Sequence, residues 1–365
     1  LKELAVLLDM PLNELQKKVS DTKRKHVWLR RQLDDATGKK IKELGIHGIY
    51  TTMEYKRMYP QGEAAAHVVG FTNVENIGQE GVELTFNTHL GGKNGTRRVI
   101  KNGQGQVVEG IGDLVPPEEG KDLQLSIDSK VQYFAYQRLR EAVLLNKAAA
   151  GSVVVLDAQT GDVLALANYP SYNPDRRSNL TGAQLRNRAL TDTFEPGSTM
   201  KPLIIGLAME KGLVNPETLI DTAPGKVNMY GMTITDAHPH GTLSVSEVIQ
   251  KSSNIGTVKI AMKMPPKDMW DMYTQVGFGQ KPQVPFPGAV AGRLRPYKSW
   301  RPMEQATMSY GYGLSTSLFQ LAQAYTMFAR DGEMVPTSLI KHQDKLVGVR
   351  VISAQHASQV RDMLH

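Results

Sequence analysis

The chain of 365 residues contains no cysteine. It therefore forms no disulfide, and it offers neither a thiol nucleophile nor a cysteine-ligated zinc site. Aromatic residues make up only 7% of the chain, and no cluster of aromatic and basic residues indicates nucleic-acid binding. No apolar run approaches the roughly 18 residues that a membrane span needs, and no signal-peptide pattern is visible. The lack of cysteine is compatible with a bacterial exported protein.

The length allows two or three domains, each with a full-sized hydrophobic core. The formal net charge is +7, a mild excess that is compatible with a solvated surface or with an acidic polymer or membrane nearby. Because the sequence opens on Leu1 in what looks like the middle of a structural element, we expect it to be part of a longer chain.

The segment 193–202 is the most informative stretch, and it reads Thr-Phe-Glu-Pro-Gly-Ser-Thr-Met-Lys-Pro. The apolar run that follows predicts a buried helix that begins near Ser198 and ends at Gly212. Since residues i and i+3 share a helical face, the Ser198 hydroxyl can meet the Lys201 amine, and a desolvated neutral lysine can activate a serine. Taken alone, this tetrapeptide is common, and a serine that caps a core helix beside a solvated lysine is the alternative.

A second constellation is Ser252-Ser253-Asn254, between two predicted helices. The first of these helices opens at Ser244 with the spacing of a capping box, and the second is the apolar run 255–264. A tight connection of this kind can direct a hydroxyl and an amide into one cleft. Ser-x-Asn alone is again weak, since a helix cap has the same composition.

The two halves of the chain differ in pattern. Residues 1–35 have helical spacing and many charges, and Pro11 is expected to open the second helix. Residues 40–120 are richer in glycine and contain short β-like runs such as 48–52. The proline-rich segment 115–120 predicts a domain boundary.

Beyond that boundary the pattern predicts an α+β fold with helices packed on an antiparallel sheet. We expect a strand over 122–127 and then a helix that Asp128 caps and that runs to about Asn146. A hairpin follows, with strands over 151–156 and 162–167.

Ser-x-x-Lys followed by Ser-x-Asn is the signature of penicillin-recognising serine acyltransferases. Four runs of this chain, at 59–71, 194–202, 250–256 and 300–313, resemble the division-specific class B penicillin-binding proteins, the penicillin-binding protein 3 or FtsI type. The resemblance covers nearly the whole chain. It implies a penicillin-binding transpeptidase domain, an antiparallel sheet with helices on both faces, preceded by an elongated mixed α/β non-catalytic pedestal domain.

The resemblance places the pedestal, itself incomplete, at residues 1–120 and the transpeptidase domain at 121–365. The family also has a third motif, Lys-Thr-Gly or Lys-Ser-Gly, on a late strand that supplies an oxyanion-hole N–H. This sequence does not contain that motif. We therefore expect the transpeptidase domain to be truncated before that strand, and the activity of the truncated chain is open.

The resemblance implies acyl transfer on the D-Ala-D-Ala end of a peptidoglycan stem peptide. Ser198 would be the nucleophile and Lys201 the general base. Ser252 would relay a proton to the leaving amine, and Asn254 would hold the substrate amide or Lys201. The site residues imply no metal and no organic cofactor, and β-lactams would acylate the same serine. His238 and His240 are expected to be loop residues, since metal sites need three or four convergent ligands.

The family further implies a place in septal wall synthesis, with the catalytic part in the periplasm, an anchor in the bacterial inner membrane, and divisome partners such as the lipid II polymerase FtsW. Two other classes stay open. One is a D,D-carboxypeptidase or β-lactamase-like hydrolase, although the Ser-Asp-Asn of class A β-lactamases is absent here. The other is a divisome scaffold, if the chain is inactive.

Overall fold

A computed structural model describes residues 1–20, 26–103, 107–112, 114–177, 179–229, 231–342 and 346–365. Within these ranges the α-helices are α1 Lys2–Leu7, α2 Leu12–Val19, α3 Asp35–Glu43, α4 Ala66–Val69, α5 Gly81–Thr85, α6 Asn87–Leu90, α7 Ser129–Leu145, α8 Gly182–Leu185, α9 Arg188–Thr191, α10 Lys201–Glu210, α11 Val245–Gln250, α12 Asn254–Ala261, α13 Pro266–Gln275, α14 Pro302–Ser309, α15 Leu318–Ala329 and α16 Ala354–Leu364. No helix in these ranges has the length and apolar character that crossing a bilayer requires.

The strands form antiparallel pairs. They are β1 Val99–Lys101 with β2 Val107–Gly110, β3 Gly151–Leu156 with β4 Val163–Tyr169, β5 Leu219–Asp221 with β8 Thr242–Ser244, β6 Lys226–Met229 with β7 Met232–Thr235, and β9 Glu333–Met334 with β10 Val349–Arg350. Short 3₁₀-helices lie at Gly62–Ala64, Gly197–Met200 and Tyr297–Ser299.

The amino-terminal helices α1, α2 and α3 share a small core of their own. Leu4, Leu8, Leu15 and Ile41 are buried against one another there. Pro11 occupies the cap position of α2, as the sequence predicts. The helical reading of residues 1–35 is therefore confirmed for α1 and α2, whereas residues 26–34 form no helix.

The β3–β4 hairpin carries helices on both faces. Val153 lies opposite Ala167, and both belong to the cluster packed against α7. Val154 lies opposite Leu166, and both belong to the cluster that includes residues of α9 and α15. Because side chains alternate along a strand, one apolar hairpin can bury two helical layers. The predicted hairpin, the Asp128 cap of α7 and the α+β class are confirmed.

The main core surrounds α10. Leu203, Ile204 and Ile205 are fully buried, and α10 contacts α12, α13 and α16. A helix that is apolar on all sides must be surrounded by protein. Its position in the centre of the domain fixes the residues at its amino-terminal end, which include the candidate nucleophile.

Two of the predicted β-like runs are not strands. Residues 122–127 form one isolated bridge, Leu125 with Ile340, and residues 48–52 form no strand. The side chain of Ser126 replaces part of the missing strand pairing, since its hydroxyl donates to the carbonyl oxygens of Val163 and Ser338. Propensity alone over-predicted these strands, because a strand requires a partner along its whole length.

A short segment, residues 59–72, connects the amino-terminal region to the hairpin layer. The Tyr172 hydroxyl donates to the Ala66 carbonyl at 3.0 Å, and the Tyr136 hydroxyl donates to the Glu63 carboxylate at 2.8 Å.

His67 is buried with its Nε2 at 2.7 Å from the Gln184 carbonyl, and this burial lowers the pKa of His67 to about 4. The imidazole is therefore neutral at physiological pH.

Gln320 of α15 is a buried polar hub, only 1% exposed. Its Nε2 lies within hydrogen-bond distance of the carbonyl oxygens of Gly277, Gln280 and Ala291, and its Oε1 accepts from Ser317 and Thr316. We expect Gln320→Leu to leave these buried groups without partners and to lower stability by about 3 kcal/mol. Thermal unfolding measures this loss, and Gln323→Leu on the same helix, whose side chain is partly exposed, is the control. Equal melting temperatures for the two variants would contradict the assignment.

Candidate active site

Ser198 lies in a 3₁₀ turn that leads directly into α10. The turn spans Gly197–Met200, and Gly197 has a positive φ of 59°. Pro202 has no N–H, so the Ser198 carbonyl cannot make the usual bond four residues ahead. It accepts instead from the Lys201 N–H, which tightens the turn. Ser198 is exposed while the helix that follows it is buried.

The chain segment 311–316 holds this turn from one side. The Gly197 N–H donates to the Gly311 carbonyl at 3.2 Å, and the Gly313 N–H donates to the Glu195 carboxylate at 2.9 Å. The two glycines cross so closely that a Cβ on Gly311 would lie 2.1 Å from the Gly197 carbonyl oxygen. Only glycine fits at Gly311, which also has a positive φ of 87°.

Lys201 is only 2% exposed, although its side chain ends in the polar Nζ amine. That Nζ donates to the Ser252 carbonyl at 2.5 Å and to the Ser252 hydroxyl at 3.0 Å. Burial lowers the pKa of Lys201 to about 8, and the nearby Asp236 carboxylate opposes this shift. A substantial part of the Lys201 population is therefore neutral near physiological pH.

The two bonds from Lys201 match the valence of a neutral amine. In its neutral form the amine has two hydrogens and one lone pair, and the carbonyl and hydroxyl of Ser252 can accept both hydrogens. The lone pair of Nζ then points away from the two Ser252 acceptors and is free to accept a proton. A group that approaches the nitrogen from that direction can lose a proton to it, which is the requirement for a general base.

Ser252 lies in the connection between α11 and α12. The predicted capping box at Ser244 and Glu247 is present and opens α11. Ser252 has a positive φ of 53°, a strained conformation for a non-glycine residue. Ser253 then caps α12, its hydroxyl accepting from the Gly256 N–H. Strain of this kind persists where the surroundings hold it, and it is frequent at functional sites.

Asp236 was not singled out from the sequence, yet it organises this connection. Its carboxylate is buried, accepts from the Ser253 hydroxyl at 2.6 Å and accepts from the Ile255 N–H at 3.0 Å. The adjacent Thr235 carbonyl accepts from the Asn254 side-chain amide at 2.9 Å. A single Asp in a polar loop gave no signal, because its partners lie 17 or more residues away.

The structure places the four predicted site residues as follows. Ser198 and Lys201 lie on successive turns of one element, and the fold brings Ser252 to Lys201. The side-chain amide of Asn254 donates to the Thr235 carbonyl, and both roles expected of Asn254, toward the substrate amide or Lys201, stay predictions. His238 and His240 lie in the loop between β7 and β8, and the described residues contain no group of three or more potential metal ligands.

Comparison with known proteins gives two family matches. A family model described as the penicillin-binding protein transpeptidase domain matches residues 151–365, and one described as the penicillin-binding protein dimerisation domain matches residues 1–125. The resemblance drawn from the motifs is therefore confirmed. The sequence-derived boundary at residue 120 remains a prediction.

Curated relatives and a solved structure agree with these matches. The chain is 40% identical over 366 residues to a probable peptidoglycan D,D-transpeptidase PenA of Neisseria meningitidis, covering 100% of this chain and 63% of the relative. It is 38% identical over 365 residues to the peptidoglycan D,D-transpeptidase FtsI of Escherichia coli K12, covering 100% of this chain and 61% of the relative. The chain thus spans less than two thirds of the length of these relatives.

The transpeptidase domain of Burkholderia pseudomallei penicillin-binding protein 3 is 54% identical, with a TM-score of 0.61 over 66% of this chain and 69% of that one. The transpeptidase family model alone covers more than half of the present chain. The relatives extend the similarity along its full length. The chain therefore belongs to the penicillin-binding protein transpeptidase family.

Proposed function

We propose that this protein is a serine-type D,D-transpeptidase that cross-links peptidoglycan stem peptides. The observation that carries the proposal is the buried Lys201 amine, held by Ser252 and placed three residues after an exposed serine. A desolvated lysine beside a serine is a means of making that serine nucleophilic at neutral pH. The names of the relatives, PenA and FtsI, support the same reaction.

In the acylation step, Ser198 Oγ attacks the carbonyl carbon of the penultimate D-Ala. The Ser198 hydroxyl proton passes to the Lys201 lone pair as the new C–O bond forms. The tetrahedral intermediate then expels the terminal D-Ala. Its nitrogen takes a proton from Lys201 through the Ser252 hydroxyl, which the 3.0 Å contact connects to Nζ. Lys201 is neutral again at the end of the step.

In the second step, an amine of a neighbouring stem peptide attacks the acyl group on Ser198. The amine loses a proton toward Lys201, and Ser198 Oγ leaves and recovers a proton. The Ser198 N–H is the donor that we assign to one half of the oxyanion hole, and such a donor contributes about 3–4 kcal/mol. We assign Asn254, whose side-chain amide is held by the Thr235 carbonyl, to orient the substrate amide.

We further place the reaction in septal wall synthesis, because the motifs resemble those of the division-specific class B penicillin-binding proteins and a relative at 38% identity is named FtsI. The catalytic part would then work in the periplasm of a protein held at the bacterial inner membrane. The lipid II polymerase FtsW and other divisome proteins would be its partners, and β-lactams would be substrate mimics that acylate Ser198. These assignments rest on family analogy alone.

The proposal is tested by finding where a penicillin binds. The intact protein is incubated with a fluorescent penicillin and digested, and the labelled peptide is sequenced by mass spectrometry. We expect a single acylated residue, Ser198. A label at another serine would overturn the assignment. Rapid turnover of a chromogenic cephalosporin would instead favour a hydrolase.

The rate of acylation should follow the protonation of Lys201. Since only the neutral amine accepts the Ser198 proton, and since burial lowers the pKa of Lys201 to about 8, the rate should rise with pH and level off above that value. Between pH 6 and pH 8 the neutral fraction grows by roughly 50-fold. Labelling rates measured from pH 6 to 9.5 test this. A rate that still rises tenfold per unit above pH 9 would show an unperturbed lysine.

A further inference from the structure

Tyr325 reaches the nucleophile turn from a helix distant in sequence. It lies in the last part of α15, and its hydroxyl donates to the Thr199 carbonyl at 2.6 Å. The two residues are 126 positions apart. Thr199 directly follows Ser198, so this bond acts on the backbone next to the nucleophile.

The position of the Tyr325 ring is itself determined by packing. The ring contacts Phe328 edge-to-face at 5.6 Å and packs against the main core around α10. At the start of the same helix, Gln320 ties α15 to three loop carbonyls. Burial also raises the pKa of Tyr325 to about 12, so that its hydroxyl stays a donor over the range in which the enzyme would act. A rigid side chain therefore delivers this hydrogen bond.

The nucleophile turn needs such support. A 3₁₀ turn has poorer hydrogen-bond geometry than an α-helix, and helix ends fray. Within this turn the Thr199 hydroxyl donates back to the Pro196 carbonyl at 2.7 Å. Gly311 holds the Gly197 end of the turn from outside, and Tyr325 holds the Thr199 end. Ser198 lies between these two fixed points.

We propose that Tyr325 is a positioning residue that holds the Thr199 peptide so that Ser198 Oγ faces the Lys201 amine. The inference rests on the proposed acyl transfer and names one more residue for it. A tyrosine hydroxyl that only stabilised the fold would have no particular effect on the chemical step. A hydroxyl that holds the turn should affect that step first, because a displacement of about 1 Å can slow a reaction by roughly a hundredfold.

The test is Tyr325→Phe, which removes the hydroxyl and keeps the ring packing. Acylation by a fluorescent penicillin is followed at several concentrations, so that the rate constant of the chemical step is separated from the dissociation constant of the initial complex. We expect the chemical step to slow by roughly tenfold to a hundredfold, with the initial binding unchanged within about twofold. The fraction of protein that can be acylated, measured at completion, should equal that of the wild type.

Tyr172→Phe is the matched control, because it also removes a tyrosine hydroxyl that donates to a backbone carbonyl, that of Ala66. It should lower the melting temperature and leave the chemical step unchanged within about twofold. If Tyr325→Phe does the same, its role is structural and the inference is wrong. If Ser198 of the full-length wild-type protein is not acylated at all, the proposed function itself fails, and the two outcomes are thus distinct.

Discussion

Ser198→Ala is expected to abolish covalent labelling by penicillins. Alanine removes the hydroxyl that we assign as the nucleophile, while the turn itself is held by Gly311 and Tyr325 through hydrogen bonds to its backbone atoms. Loss of the nucleophile leaves no route to an acyl-enzyme, so the decrease should reach the detection limit. The measurement is gel fluorescence after incubation with a fluorescent penicillin, together with a melting curve to show that the variant is folded.

A suitable control for this loss is Ser299→Ala. Ser299 also lies in a 3₁₀ turn after a proline, and its hydroxyl donates to the Pro296 carbonyl at 2.8 Å. It is far in sequence from both motifs, and its variant should be labelled like the wild type. Equal labelling of the Ser198 variant and this control would show that another residue is acylated.

Lys201→Met should reduce acylation by about a thousandfold or more while the protein remains folded. Methionine has nearly the length of lysine and no proton acceptor of comparable strength, so Ser198 loses its base. Positioned general bases contribute roughly 10² to 10⁴ in rate. The pH dependence described above should also disappear in this variant, because the group that titrates is gone. The measurements are labelling kinetics and thermal unfolding.

Lys201→Met should lose acylation activity but should not lose folding stability. Burial lowers the pKa of Lys201 to about 8 in the folded protein from an ordinary value of 10.5, so the unfolded chain binds this proton more tightly. Stability of the wild type should therefore rise with pH between 8 and 10.5. Below pH 8 the buried charge costs stability, and methionine removes that cost. We expect the melting temperature at pH 7 to be equal to or above that of the wild type.

Lys211→Met is the control on the same helix. Lys211 follows the last turn of α10 and pairs with Asp268 at 3.1 Å, with nearly half of its side chain exposed. Such a surface pair contributes little, about 0–1 kcal/mol. The variant should keep both labelling and stability. A Lys201 variant that unfolds readily yet labels at the wild-type rate would contradict the assignment of the base.

Much of the local structure could be predicted because its causes are local. Asp128 caps α7, Ser244 and Glu247 form a capping box, and Gly212 follows the end of α10, all within a few residues of the helices that they bound. The β3–β4 hairpin was predicted for the same reason. The failures at 48–52 and 122–127 occurred where the outcome depends on a distant partner strand.

Ser198 and Lys201 were predicted as site residues because a serine and a lysine three residues apart at the start of a helix can meet. Ser252 and Asn254 were predicted because they complete a known pair of motifs. Family membership also followed from these runs, and the comparisons confirm it. The α+β class was readable from the order of the patterns, and the resemblance implied helices on both faces of the antiparallel sheet.

Only the tertiary structure decided how the site is held. The carbonyl and hydroxyl of Ser252 accept from the Lys201 Nζ across 51 residues. Asp236 fixes the connection that carries Ser252, and the Tyr325 hydroxyl holds the Thr199 carbonyl. Each of these contacts joins residues far apart in the chain, and each depends on burial that no single segment determines. The type of chemistry was therefore present in the sequence, because it depends on residue types at short spacing. The protonation states and side-chain orientations of those residues depend on the groups around them in the folded protein.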